Sequence, residues 1–145
     1  MSYYFDAAFL ARLYVEEAGS REVRKVARNS VIRSSIIGKM ETESVFHRKF
    51  REGFVDEKIH AEMHNQFFDD IGWGLIVLLP LTPAVVDRVS YAFLHLPAGV
   101  ALRAGDAIHL ATAAEAGFKE IYSNDRHLLA AASLFKLKGI NPLAK

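Results

Sequence analysis

Cysteine is missing from the chain, and its absence removes several kinds of chemistry at once. Without thiols the protein has no disulfides, no thiolate nucleophile and no zinc site built on cysteine sulfur. This composition suits a reducing compartment, so we expect a cytoplasmic protein. The longest apolar run, residues 75–81, is far too short to span a bilayer, and the opening segment has no basic stretch of the kind that begins a signal peptide. We therefore expect no association with a membrane.

A strong excess of either charge is missing as well. The 18 basic and 17 acidic residues leave a net charge of +1 with the histidines neutral. This balance neither demands nor excludes a surface that follows nucleic-acid phosphates, so a nucleic-acid contact would be a local patch. Glycine-rich phosphate loops, repeats and linkers are also absent. With 145 residues, 51% of them apolar, the chain is predicted to form one domain over residues 1–145.

Short apolar runs alternate with longer segments of helical periodicity. The predicted strands are residues 2–5, 31–37, 75–79 and 121–123, with a last short strand near Ile140. The predicted helices are residues 7–17, 21–28 with Ser20 as the N-cap, 40–51 after a break at Gly38, 56–70, 83–95 with Thr82 as the cap, a helix between Asp106 and Gly117, and 126–137. This alternation predicts an α/β protein in which helices cover both faces of a central parallel sheet.

Three aspartates occur where predicted strands end or predicted helices begin. Asp6 follows the first strand, Asp125 follows the strand at 121–123, and Asp106 precedes an apolar-periodic run. Ligands in such sheets bind beyond the carboxyl ends of the strands, so we expect these acids at one edge. Each alone is most simply an N-cap. Together with a glutamate from a neighbouring helix, they would repel one another unless a cation lay between them, and oxygen-only ligands suit Mg²⁺ or Mn²⁺.

Four blocks of the sequence carry a resemblance to a known family. In order along the chain they are YFDAAFLARLYVEEAGS, ETESVFHRKFREG, LRAGDAIHLATA and SNDRHLLAAA. Their order and rough spacing resemble those of a PIN domain, and most closely the VapC-type ribonuclease toxins of prokaryotic toxin–antitoxin pairs. The resemblance implies a three-layer α/β/α PIN-like fold with a central parallel sheet, and a Mg²⁺- or Mn²⁺-dependent endoribonuclease. It also implies an RNA substrate, a cognate VapB-like antitoxin and a homodimer.

The resemblance also assigns the residues of the active site. The family's four acids, which are both catalytic and metal-ligating, fall on Asp6, Glu41, Asp106 and Asp125. Glu41 is chosen over Glu43 because the family's glutamate precedes a basic helix end much like residues 51–53, whereas helical geometry alone leaves Glu43 open. The chain departs from the family at Ala8, where many relatives have a serine or threonine near the metal. This departure removes a hydroxyl that would hold a water or a phosphate.

The implied mechanism is hydrolysis without a covalent intermediate. Asp6, Glu41 and Asp106 hold one or two metal ions, with Asp125 as a further ligand or as a hydrogen-bond acceptor behind the ligands, and an activated water attacks the phosphorus of the RNA. By analogy with the family, the products carry 5′-phosphate and 3′-hydroxyl ends. Basic and polar residues close to the acids in sequence are weaker candidates for contacts with RNA, and they are Lys39, Arg103, Ser123, Asn124 and Arg126. A solvated surface charge is the simpler interpretation of each basic residue.

A different class of function is the main alternative. A non-catalytic PIN scaffold would bind RNA or a protein partner without cutting it, and Ala8 leaves room for this role. The aromatic residues Phe67, Phe68 and Trp73 are predicted to pack in the core, with a contact to a dimer partner or an antitoxin as the second interpretation.

Histidines supply two further candidates. His60 and His64 lie one helical turn apart, a spacing that can bind zinc, but the zincin pattern needs a glutamate directly after the first histidine and Glu62 lies one place too far. We therefore predict that the pair is exposed and polar. His109 is predicted to be a packed or hydrogen-bonded core histidine.

Overall fold

The computed structural model describes residues 1–144. Over this range the strands are β1 (Ser2–Tyr4), β2 (Val31–Ser35), β3 (Ile76–Leu79), β4 (Glu120–Tyr122) and β5 (Lys138–Ile140). The helices are α1 (Ala7–Arg12), α2 (Ser20–Ala27), α3 (Ile36–Arg51), α4 (Glu57–Gly72), α5 (Pro83–His95), α6 (Ala104–Glu115) and α7 (Arg126–Ala131), and a 3₁₀ turn at Ala132–Phe135 follows α7. None of these helices combines the length and the apolar character that crossing a bilayer requires.

The strands all run parallel. β2 lies between β1 and β3, and β4 pairs with β5. The three-stranded part (β1, β2, β3) and the two-stranded part (β4, β5) join where Phe5 forms a β-bridge with Tyr122. There the backbone N–H of Asp6 donates to the Tyr122 carbonyl at 3.2 Å. The spatial order is therefore β3-β2-β1-β4-β5. The predicted α/β class with a central parallel sheet is confirmed.

Two apolar cores lie on opposite faces of this sheet. Neighbouring residues of a strand point to opposite faces, and at the end of β1 both are fully buried: Tyr4 belongs to one core and Phe5 to the other. The Tyr4 core contains the buried residues of α5, α6 and α7, among them Leu110. The Phe5 core contains those of α1, α2, α3 and α4, among them Phe46. Helices thus cover both faces, and the three-layer prediction is confirmed.

Gly38 does not break the chain, contrary to the sequence prediction. The second strand ends at Ser35, whose hydroxyl accepts from the N–H of Ile37, and α3 runs on through Gly38. The position is crowded: a Cβ on Gly38 would lie 2.7 Å from Oγ of Ser34 and 3.3 Å from Cε1 of His109. Because this glycine serves close packing and not a turn, local sequence rules misjudged it.

Other boundaries also differ from the prediction. The helix predicted at 126–137 ends at Ala131, where the 3₁₀ turn begins. The helix predicted at 7–17 ends at Arg12. Ser20 is the first residue of α2 and not its cap, because its hydroxyl donates instead to the Val15 carbonyl at 2.7 Å. Gly19 takes the cap position with φ 88°, a backbone conformation that suits glycine. By contrast, Thr82 caps α5 as predicted, since its hydroxyl accepts from the N–H of Val85.

Candidate active site

A cleft of about 370 Å³ opens at the carboxyl edge of β1 and β4. It is lined by Asp6, Ala7, Ala8, Glu41, Arg103, Asp106, His109, Asn124 and Asp125. The four acids singled out in the sequence are all in this set, although Asp6 and Asp125 lie 119 positions apart along the chain. The crossovers of a parallel sheet return each strand to the same edge, which is why such distant residues meet.

Asp6 is the most deeply buried of the four acids. It follows β1 directly and caps α1, because its Oδ1 accepts from the N–H of Phe9 at 3.0 Å. Its Oδ2 accepts from the hydroxyl of Ser123 at 2.6 Å. The residue is only 5% exposed. Burial raises the pKa of this carboxyl, and the bonds from Ser123 and Phe9 oppose the rise.

Asp125 and Asp106 are held by different local structures. Asp125 caps α7 as predicted, and its Oδ1 accepts from the N–H groups of His127 and Leu128 at 2.8 and 3.0 Å. Asp106 does not precede a helix, contrary to the prediction. It lies inside the first turn of α6, which begins at Ala104, and the N-cap residue Arg103 forms no side-chain cap bond.

Arg103 places a positive charge between two of the acids. Its guanidinium contacts Oδ2 of Asp106 at 3.4 Å and Oδ2 of Asp125 at 3.1 Å. The pKa of Asp106 is raised, first by burial and then by the charge of Asp125, while Arg103 opposes the rise. The arginine side chain is 77% exposed, so its bonds to the acids are readily exchanged with water or another partner.

Glu41, and not Glu43, faces the cleft. Oε1 of Glu41 lies 2.7 Å from Nε2 of His109, and its Oε2 would lie 3.3 Å from a Cβ placed on Gly105. Glu43 pairs instead with Nζ of Lys39 at 2.7 Å and lines a separate pocket beside α4. The two glutamates thus lie on different sides of α3.

The residues suggested for RNA contact are scattered. Arg103 and Asn124 line the cleft. Ser123 is fully buried and bonded to Asp6, so it supports an acid and offers no exposed surface. Lys39 is engaged by Glu43 outside the cleft, and Arg126 is exposed at the start of α7 without lining it.

The donor atoms of the cleft suit a hard divalent cation, although their side chains are not closed around one. Across residues 1–144, no three histidine, aspartate or glutamate side chains are gathered closely enough to hold a metal ion as they stand. The carboxylates of Asp106 and Asp125 contact the guanidinium of Arg103, and the carboxylate of Glu41 contacts the imidazole of His109. The lining acids offer only carboxylate oxygens, which Mg²⁺ and Mn²⁺ prefer.

His109 is the residue of the cleft whose role was not anticipated from the sequence. It is 1% exposed and hydrogen-bonded, which confirms the predicted core histidine, yet it also lines the cleft. The available signal was spacing: His109 lies three residues after Asp106, and residues three apart share a helix face.

His60 and His64 are half-buried, so the prediction of an exposed pair was wrong. Their Nε2 atoms lie 3.2 Å apart, His60 stacks on Phe50 with ring centroids 4.8 Å apart, and His64 meets the edge of Phe46 at 5.1 Å. Burial is the main reason that the pKa of His64 is lowered. The pair therefore joins α3 to α4.

Asp106→Asn is expected to stabilise the metal-free protein at neutral pH. Because the pKa of Asp106 is raised above its ordinary 3.8, the folded state binds the proton more tightly than the unfolded state, and stability falls as the pH rises through the raised pKa. The amide removes this loss, so the melting temperature at pH 7 should rise; each ~1 kcal/mol gained corresponds to roughly 2–4 °C in a chain of this size. Thermal melts of the parent protein and the variant at pH 7 without divalent ions measure the change. A fall in melting temperature at pH 7 would mean that the acid chiefly stabilises the first turn of α6.

Comparisons with known proteins agree with this architecture. The family model described as the PIN domain matches residues 3–134. Among solved structures, the chain is similar to FitAcB from Neisseria gonorrhoeae, with 18% identity, a TM-score of 0.70 and 100% of both chains covered. It is also similar to VapBC2 from Rickettsia felis bound to a promoter DNA fragment, with 13% identity, a TM-score of 0.66, and 97% of this chain and 98% of that chain covered. No curated protein matches the sequence.

Proposed function

Because the chain belongs to the PIN domain family, we propose that it is a metal-dependent endoribonuclease that hydrolyses RNA phosphodiester bonds. We further propose that it is the toxin of a type II toxin–antitoxin pair of the VapBC kind. The observation that carries the proposal is that Asp6, Glu41, Asp106 and Asp125 line one cleft. Beyond the effect of burial, the charge of Asp125 raises the pKa of Asp106 and the charge of Asp106 raises the pKa of Asp6, and a cation between them would relieve this repulsion.

The four carboxylates would hold Mg²⁺ or Mn²⁺, and the bound cation would supply the Lewis acidity that activates water and neutralises charge on the phosphoryl oxygens. Buried partners already hold the carboxylates of Asp6 and Glu41 by hydrogen bonds. Asp6 is fixed by Ser123 and the start of α1, and Glu41 is fixed by His109. The Asp106 carboxylate contacts the exposed Arg103 and can turn towards a cation. Asp125 keeps its Oδ1 in the cap of α7, so its Oδ2, which contacts Arg103, is the oxygen that it would offer to a cation.

Arg103 has two tasks in this proposal. Without a cation it offsets the charges of Asp106 and Asp125, and with RNA present its exposed guanidinium is placed to contact a phosphate at the mouth of the cleft. Asn124, which also lines the cleft, offers a neutral polar contact beside it. Ala8 offers no hydroxyl at the position where many relatives have one.

Arg103→Gln is therefore expected to separate cation binding from RNA binding. Affinity for Mg²⁺ should rise by up to about fivefold, because exposed ion pairs that compete with the cation are worth no more than ~1 kcal/mol. The variant should bind RNA more weakly than the parent protein does. Its RNA affinity should also decrease less steeply as the salt concentration rises. Calorimetry with Mg²⁺ and RNA-binding titrations at two salt concentrations measure both effects, with Arg21→Gln on the exposed face of α2 as the control. A fall in Mg²⁺ affinity would show that Arg103 orders the acids and does not compete with the cation.

Protein partners follow from the proposed toxin role. Structures similar to this chain include a toxin–antitoxin complex from Klebsiella pneumoniae, with 15% identity, a TM-score of 0.61 and 97% of both chains covered. Phe68 and Trp73 were predicted to be core residues and are instead 71% and 72% exposed, whereas Phe67 is buried as predicted. Large exposed aromatic side chains are typical of binding surfaces. We propose a VapB-like antitoxin and a second copy of the chain as the partners, with residues 1–145 as one domain.

The test of the proposed function is RNA cleavage by the purified protein. Structured RNA is incubated with the protein in Mg²⁺, in Mn²⁺ and in a chelator, and the products are separated by size and analysed for their ends. We expect cleavage with either metal, none with the chelator, and 5′-phosphate and 3′-hydroxyl ends. A non-catalytic scaffold is the second candidate, favoured by Ala8 and by the turning of two acids onto Arg103. It predicts that RNA or a protein partner binds without any metal-dependent cleavage.

A further inference from the structure

A row of three polar side chains leads from the core to the acidic cleft. The hydroxyl of Tyr4, at the end of β1, lies 2.9 Å from Nδ1 of His109. The other ring nitrogen of His109, Nε2, lies 2.7 Å from Oε1 of Glu41. Tyr4 is 0% exposed and His109 is 1% exposed, so water does not compete for the bonds at the inner end of the row.

For a neutral imidazole beside an ionised carboxylate, the chemistry of the three groups sets the direction of their hydrogen bonds. An ionised carboxylate only accepts, so Nε2 of His109 carries the proton that is donated to Glu41. In the neutral ring Nδ1 then has a lone pair, which accepts from the Tyr4 hydroxyl. Burial raises the pKa of Tyr4, so this hydroxyl keeps the proton that it donates. Tyr4 thereby selects the tautomer of His109 that can donate to Glu41.

Two glycines leave the space that this arrangement occupies. A Cβ on Gly38 of α3 would lie 3.3 Å from Cε1 of His109, and one on Gly105 of α6 would lie 3.3 Å from Oε2 of Glu41. Both distances are tighter than ordinary contact. The ring and the carboxylate are therefore confined by the backbones of the two helices as well as by their hydrogen bonds.

We propose that His109 is a positioning residue that holds the Glu41 carboxylate in place at the cleft, with Tyr4 orienting the imidazole. Glu41 has a long side chain, half-exposed at 41%, and in isolation it would move among many rotamers. The bond from His109 removes that freedom before a cation arrives. The inference rests on the proposed function, since it assigns to His109 an effect on divalent-cation affinity that acts through Glu41.

The test measures Mn²⁺ affinity of the full-length protein without RNA, by calorimetry and by the electron paramagnetic resonance signal of free Mn²⁺. His109→Leu removes the donor, and its affinity should fall by about 10–100-fold, the usual effect of losing a group that supports a metal ligand. His109→Gln presents an amide N–H near the position of Nε2 and should recover most of the loss. Tyr4→Phe keeps the packing but lets the ring turn, so it should show a smaller loss in the same direction.

Controls separate positioning from folding. His95→Leu removes an imidazole that stacks on Tyr91, away from the cleft, and should bind Mn²⁺ as the parent protein does. Circular dichroism checks that each variant is folded. If His109→Leu does not fold, Tyr4→Phe and His109→Gln still decide the matter, because a positioning role predicts weakened binding in the first and near-parental binding in the second.

The outcomes distinguish the inference from the function on which it rests. If Glu41→Gln loses Mn²⁺ while Tyr4→Phe and folded His109→Leu bind it as well as the parent protein, the positioning role is wrong and the nuclease proposal stands. Equal losses in His109→Leu and His109→Gln, in folded proteins, would also overturn it, since the donated hydrogen bond would then not matter. If the parent protein neither binds Mn²⁺ nor cleaves RNA, the proposed function fails and the inference fails with it.

Discussion

Asp106→Asn is expected to abolish RNA cleavage while leaving the protein folded. The amide keeps the size of the side chain but removes the negative charge that would hold a divalent cation in the cleft. A bound cation contributes several kcal/mol of charge stabilisation in phosphoryl chemistry, so the rate should fall by about a thousandfold or more. Single-turnover cleavage of a labelled RNA in saturating Mg²⁺ or Mn²⁺ measures the effect. Since the raised pKa of Asp106 destabilises the metal-free fold, the same variant should be inactive and yet no less stable.

A matched control tests whether the position of the lost charge matters, and not only its loss. Asp69 lies on the exposed surface of α4 and does not line the cleft, so Asp69→Asn makes the same chemical change elsewhere. It should cleave RNA at the parental rate. Cleavage by Asp106→Asn at that rate would remove this acid from the active site. Loss of activity in both variants would point to a general effect of net charge on RNA binding.

The positions of two acids could be predicted because backbone rules determine them. Asp6 and Asp125 each follow a short apolar strand and precede a helix, and in a parallel sheet this order alone brings a residue to the carboxyl edge. The capping role of each was also readable from residue type. Asp106 reached the same edge although its expected place before a helix was wrong, because one turn of α6 hardly displaces the side chain from the cleft.

The remaining features depend on contacts between segments, which a single sequence does not encode locally. Gly38 looked like a break and is a helical residue, because Ser34 and His109 need the space that a Cβ would fill. His109 looked like a core residue, and only the approach of α3 to α6 brings its outer nitrogen to Glu41. The bridge that Arg103 makes between Asp106 and Asp125 likewise depends on how α6 meets α7.

The choice between two glutamates of α3 gives the second large expected effect. Glu41→Gln should reduce cleavage by about a thousandfold or more and weaken Mn²⁺ binding, because it removes a charged ligand that faces the cleft. Glu43→Gln makes the same change two residues along the same helix, where the carboxylate pairs with Lys39 instead. It should leave cleavage unchanged and alter stability only slightly, since a half-exposed ion pair contributes at most ~1 kcal/mol.

The pair of variants is decisive because residues two apart on a helix point to different sides. The test and its control therefore make the same change in the same helix. Glu41→Gln and Glu43→Gln should differ both in their single-turnover cleavage rates and in their Mn²⁺ affinities. If Glu43→Gln lost activity and Glu41→Gln kept it, the cleft at the carboxyl edge would not be where RNA is cut, whatever the positions of the three aspartates. If both lost it equally, α3 as a whole would matter to the fold of the site, and melting temperatures would show a shared loss of stability.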